Sequence, residues 1–364
     1  MIHKTKAKLV YLTLLTSTLM LTHVCFAQEI NVKQEKSKVT ESKQAERPLQ
    51  TSSDMWVAFT LENDMFSINH KSDDGYTNGG IIAWGYDTKN SFEEVDMPNW
   101  IRALSSWTYL NDKNREHFSI NYSITQKIYT PTDLQEEQLI EDDRPYAGTL
   151  TWTTRIHSFD RNIANSLGLT LGIAGPASLA EQTQKVIHQM TDSEQPRGWD
   201  NQISNELVFQ IDAEHIRRLY HYNLSRSLQF DTNFYNSAAL GNLKSNATTG
   251  LSFRIGSNLV KSFAYITPAP ARAVNNFEGK SDFNWSLSAS AFGSYVFNDV
   301  SIDGNTFKES HTAELTNTQT LLSLGLTLDW GDWGIIFSTQ KASDAFEGQQ
   351  GGGYFGGVNI AYHL

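Results

Sequence analysis

Gln184 and His188 stand four residues apart in "QKVIH", one helical turn, so their side chains share a face. An imidazole titrates near neutrality and can take a proton from water, while a carboxamide can donate to a developing oxyanion. Glu194 follows shortly after. Far upstream, Asn63 and Asp64 sit where the alternating stretch "FTLEND" breaks into a polar loop, and Thr77 stands where alternation resumes. A carboxylate there could fix a histidine tautomer or bind a hard cation. Such a set can perform hydrolysis. No G-x-S-x-G elbow or H-E-x-x-H helix occurs, so serine or zincin machinery is unsupported. Each residue also has a plain use, as turn former, strand hydroxyl or helix surface. Their convergence is what argues for a site.

The elements that must position them are strands. In "MWVAFTL" the apolar residues are Met55, Val57, Phe59 and Leu61; in "LLSLGLTLDW" they are Leu322, Leu324, Leu326, Leu328 and Trp330. Apolar residues at every second position, with small or polar residues between, suit a strand separating lipid from a polar lumen. A β-sandwich alternates in the same way. Stretches of about ten residues and aromatics at strand ends, such as Trp84, Tyr86, Trp330 and Trp333, favour a transmembrane barrel. The expected fold is therefore all-β: a single antiparallel transmembrane β-barrel of about twelve strands with a short helix in an extracellular loop. The strands are expected near 54–63, 75–87, 116–130, 145–159, 165–174, 203–218, 225–238, 246–256, 282–297, 314–329, 332–342 and 353–364.

The chain opens with Lys4, Lys6 and Lys8, then an apolar run ending at Cys25-Phe26-Ala27. This reads as a signal peptide over 1–27, and a polar, aperiodic stretch over 28–53 reads as a flexible segment before a barrel domain at 54–364. Cys25 is the only cysteine, so thiol and disulfide chemistry have no role in the expected mature protein. A net charge of −11 disfavours nucleic acid as a partner.

An even number of strands brings both barrel ends to the periplasm. The connections 64–75, 131–144 and 175–202 then face the cell exterior. Asn63, Asp64, Thr77, Lys127 and Arg144 all lie at that rim, with Lys127 turned to the lumen by its parity. The third of these connections carries the helical pattern, opened by Ser178 and Glu181 as an S-x-x-E capping box.

The segments "LENDMFS", "DDGYTNGG", "ITQKIYTP", "DRPYAG" and "QKVIH" with Glu194 together resemble the outer-membrane lipid A 3′-O-deacylases of the LpxR type. The resemblance runs from about residue 55 to the C-terminus and is strongest before residue 205. It implies a twelve-stranded barrel in the bacterial outer membrane, with its site between the wall and an exterior helix. It further implies calcium-dependent hydrolysis of the 3′ acyloxyacyl ester of lipid A. His188 matches the general base, and Asn63, Asp64, Thr77, Gln184 and Glu194 match the surrounding polar residues. Asp64 with Asn63 is expected to contact Ca²⁺. The family's exterior lysine between strands three and four has no counterpart, because residues 131–143 are acidic here. Lys127 or Arg144 is then expected to meet the lipid phosphate. Two other classes compete: an outer-membrane phospholipase or esterase of other specificity, and a non-enzymatic channel or adhesin. A monomer is expected.

Overall fold

The computed structural model describes residues 55–63, 76–112, 114–263, 266–268 and 281–364. The expected signal peptide, the segment 28–53, Asp64 and the connection 64–75 lie outside the described residues. Twelve strands form a closed antiparallel barrel in which each pairs with its neighbours in sequence and the first with the last. They are β1 (Met55–Asn63), β2 (Tyr76–Tyr86), β3 (His117–Tyr129), β4 (Ala147–Phe159), β5 (Ile163–Ala174), β6 (Glu206–Asn223), β7 (Gln229–Gly241), β8 (Lys244–Gly256), β9 (Ser281–Asp299), β10 (Thr318–Gly331), β11 (Trp333–Ala342) and β12 (Gly353–His363). Among the described residues three α-helices decorate the connections: α1 (Asn99–Ser105), α2 (Ala180–Thr191) and α3 (Val300–Asp303).

The strand number matches the sequence expectation, and the bounds differ where parity breaks. Strand β6 was expected to stop at residue 218, yet it runs on to Asn223 because a bulge between Arg218 and Tyr220 reverses which face the later residues take. Helix α1 has no counterpart in the sequence reading; two short turns after Pro98 are too little for a periodic signal.

The two faces of the wall differ sharply. On β1, Phe59 and Leu61 are exposed at 46% and 44%, whereas Thr60 between them is exposed at 1%. The outward residues meet hydrocarbon and the inward ones meet one another. Inside, Arg155 Nη1 lies 2.6 Å from Asp212 and 3.4 Å from Glu214, and Glu214 also accepts from Ser166 and Tyr235. Gly168 lies opposite, and a Cβ there would sit 2.6 Å from the Arg155 guanidinium, so the absent side chain makes room for the pair. Nearer the other end of β6, Arg218 and Arg254 share Asp231 and both donate to the Leu259 carbonyl. The lumen is thus packed with paired charge.

Candidate functional site on the outer wall

Helix α2 lies on the outside of the barrel, against β3 and β4. Parity fixes the side: Ile124 on β3 is exposed to lipid, and Gln126 and Ile128 share its face. Gly148 on β4 pairs with Ile128 and so also faces out. A Cβ at Gly148 would fall 2.2 Å from both Ala180 Cβ and Ser178 Oγ. Only a glycine lets the start of α2 reach the wall. Gln126 Nε2 donates to the Ser178 carbonyl at 2.7 Å, and Ile128, Leu134, Tyr146, Ala180 and Trp199 close an apolar cluster beneath the helix.

The expected capping box does not form. The residue ahead of α2 is Leu179, left-handed at φ 59°, and no side chain caps the helix. Ser178 belongs instead to a preceding 3-10 turn, Pro176–Ser178, and is buried over Gly148. Glu181 turns forward to Lys185 at 2.6 Å. Its charge still favours the positive end of the helix.

At the other end of α2, Asp192 adopts a left-handed conformation and its N–H donates to the His188 carbonyl. This reversal carries residue 194 back over the imidazole. His188 Nδ1 lies 2.5 Å from the Glu194 carbonyl oxygen. A carbonyl can only accept, so the hydrogen is on Nδ1 and Nε2 carries the lone pair. The Glu194 side chain itself is exposed. One turn earlier, Gln184 is fully buried, and its Oε1 accepts from Trp199 Nε1 at 2.8 Å. That bond fixes the amide orientation, and Gln184 Nε2 is left buried with no protein acceptor.

Along the wall beside the helix runs a row of outward residues. Asn63 on β1 pairs with Asn78 on β2, and Asn78 pairs with Ile128 on β3. Asn63 Nδ2 donates to Asn78 Oδ1 at 2.6 Å. Two strand spacings, roughly 10 Å, therefore separate Asn63 from the residue on which α2 rests. Thr77 lies within a bulge of β2 against β3, and its side chain lies outside the described residues. Bulges beside sites commonly re-aim a residue.

The basic residues sit elsewhere. Lys127 pairs with Gly79 and Thr149 on the lumen face. Arg144 is buried at the exterior mouth, where it donates to the Ser301 carbonyl at 3.1 Å and Ser301 Oγ at 2.8 Å and covers the Tyr129 ring at 4.7 Å. Burial lowers its pKa, opposed by the carboxylate of Asp299. The wall separates both from α2. Conversely, Trp199, Asn78, Gln126 and Gly148 build the site without having been singled out by sequence. Asn78, Gln126 and Gly148 do fall inside quoted stretches, "DDGYTNGG", "ITQKIYTP" and "DRPYAG", and the glycine of the last marks where the helix approaches the wall.

Fold and site together define an outer-membrane β-barrel with a cluster of polar side chains on its lipid-facing wall at the exterior rim. The chain belongs to the LpxR family of outer-membrane proteins: the family model described as "Outer membrane protein LpxR" matches residues 12–364. LpxR from Salmonella typhimurium is similar in structure at a TM-score of 0.69 and 16% identity, over 85% of this chain and 100% of that one. The beta domain of the Bordetella autotransporter BrkA matches at a TM-score of 0.41 and 9% identity, over 85% of this chain and 99% of that one. The translocator domain of the autotransporter NalP from Neisseria meningitidis gives 0.38 and 11%, over 86% and 90%. No curated protein matches the chain in sequence.

Proposed function

We propose that this protein hydrolyses the 3′-O-linked acyloxyacyl ester of lipid A in the outer leaflet, with His188 as general base. The observation that carries the reading is the imidazole on the outside of the wall, its Nδ1 held by the Glu194 carbonyl. Nε2 takes a proton from water, and the water oxygen attacks the ester carbonyl carbon. Gln184 Nε2, with no protein acceptor, donates to the oxyanion that forms. The tetrahedral centre then collapses, and the proton on His188 Nε2 passes to the leaving 3′ oxygen. The products are lipid A with a free 3′ hydroxyl and the acyloxyacyl carboxylic acid. A site on the lipid-facing wall meets this ester without extracting the lipid. The paired charges filling the lumen support this reading over solute conduction.

Calcium takes oxygen donors, carboxylates among them. The described donors at the tip of β1 are amides, and no described group gathers three His, Cys, Asp or Glu side chains. Asn63 donates its amide nitrogen to Asn78, its amide oxygen is of the type that serves a hard cation, and the next residue, Asp64, brings a carboxylate. These two residues would hold the ion, which when bound polarises the ester carbonyl.

Mass spectrometry of lipid A from cells with and without the protein tests the proposal. Loss of the 3′ chain with the wild type, and not with His188→Ala, is the expected result. Cleavage of phospholipid with lipid A intact would overturn it.

A further inference from the structure

The connection between β2 and β3 is at the periplasmic end, yet it folds back up the outside of the barrel. Phe92, Val95, Met97, Ile101 and Leu110 pack on Phe118, Ile120 and Ile156. Ile156 pairs with Ile120, and both share the outward face of β3 and β4 with the lipid-exposed Ile124. Arg102 ties the coil together by donating to the Phe92 and Val95 carbonyls, and Tyr109 reaches across to the Ser166 carbonyl at 3.1 Å. This is a fixed platform on the barrel wall.

Its free side is strongly apolar. Trp100, Leu104 and Trp107, spaced four and three apart on and just after α1, are 52%, 61% and 92% exposed. Residues at that spacing share one face. Near the periplasmic ends of β10, β11, β12, β2 and β3, the outward residues Trp330, Trp333, Tyr362, Trp84 and Tyr122 form an aromatic band of the kind found at bilayer interfaces. The same row of pairs continues onto β4 and β5 as Thr154 and Leu169, neither of them aromatic; Trp152, two residues nearer the exterior on β4, stacks on Tyr122 at 6.1 Å. Thr154 is buried and Leu169 half-buried.

We infer that residues 87–112 form an interfacial platform whose Trp100, Leu104 and Trp107 insert into the periplasmic phospholipid leaflet, completing the aromatic band where β4 and β5 lack it. The partner is the bilayer itself. Continuity with the lipid-facing wall and indole side chains, which favour the headgroup level, both point there. The platform rests on the same two strands as α2, one at each leaflet, so β3 and β4 meet hydrocarbon only between them.

The full chain reconstituted in phosphatidylethanolamine and phosphatidylglycerol vesicles provides the test. The emission of Trp107 is the difference between the wild type and Trp107→Phe. We expect it to be lost when the lipids carry brominated acyl chains and to resist aqueous iodide. A nitroxide on Trp107→Cys, in a Cys25→Ser background, is expected to relax faster with oxygen than with a nickel chelate. Quenching by iodide together with fast relaxation by nickel would overturn the inference, including the case in which a periplasmic protein is the occupant.

Discussion

His188 donates from Nδ1 to the Glu194 carbonyl at 2.5 Å, and this contact makes a backbone atom, not a carboxylate, the orienting partner of the imidazole. The two residues therefore differ in what a substitution does. His188→Ala removes the base and should lower the rate by roughly 10²–10⁴-fold, the usual contribution of general-base catalysis. Glu194→Ala keeps the carbonyl and should remain close to wild type. Turnover of lipid A in detergent micelles measures both. A dead Glu194→Ala with a native fold would mean that the carboxylate, not the main chain, acts.

Trp199 holds Gln184 through a buried hydrogen bond at 2.8 Å. Trp199→Phe keeps most of the ring packing on Tyr146 and releases the amide to rotate. A hydrogen bond of this kind is worth about 0.5–1.5 kcal/mol, so kcat should fall up to about tenfold with KM little changed. The change should be non-additive with Gln184→Ala, because one substitution acts through the other. Full additivity would separate the two residues.

Gly148 tests whether the helix must touch the wall. Gly148→Ala puts a methyl 2.2 Å from Ala180 Cβ and Ser178 Oγ, and overpacking at such a contact costs about 1–3 kcal/mol. The strain falls on the docking of α2, not on the barrel. Activity should drop while the heat-modifiable gel shift of the barrel stays unchanged.

The strands were legible because lipid on one side and paired charge on the other impose period two, as at Phe59, Thr60 and Leu61. The helix was legible through Gln184 and His188, whose spacing needs no partner to be recognised. What sequence could not convey is which side of the wall a rim residue takes when its strand ends. Arg144 looked available for a phosphate, yet Ser301, more than 150 positions away, takes its guanidinium. Trp199 was invisible for the opposite reason. Its role depends on a loop that returns under α2, and the indole then meets an amide that local pattern could not have paired with it.

Asp231 carries a stability prediction independent of the reaction. It is fully buried and serves Arg218 at 3.1 Å and Arg254 at 2.5 Å. Breaking a buried ion pair from one side leaves the other charge uncompensated and costs about 3–5 kcal/mol. Asp231→Asn should therefore lower the unfolding midpoint clearly, whereas His188→Ala should leave it where it is. Equal midpoints for Asp231→Asn and wild type would mean that the lumen network contributes no net stability.

Calcium provides the last test. If Asn63 and Asp64 hold the ion, chelation should abolish lipid A deacylation and added Ca²⁺ should restore it. Mg²⁺ should restore less, since it demands a smaller octahedral shell and gives up water reluctantly. Asn63→Ala removes one oxygen ligand and the donor to Asn78, so it should raise the Ca²⁺ concentration needed for half-maximal rate. Unchanged activity in chelator would leave the oxyanion to Gln184 alone, and Asn63→Ala would then alter the rate without altering any dependence on Ca²⁺.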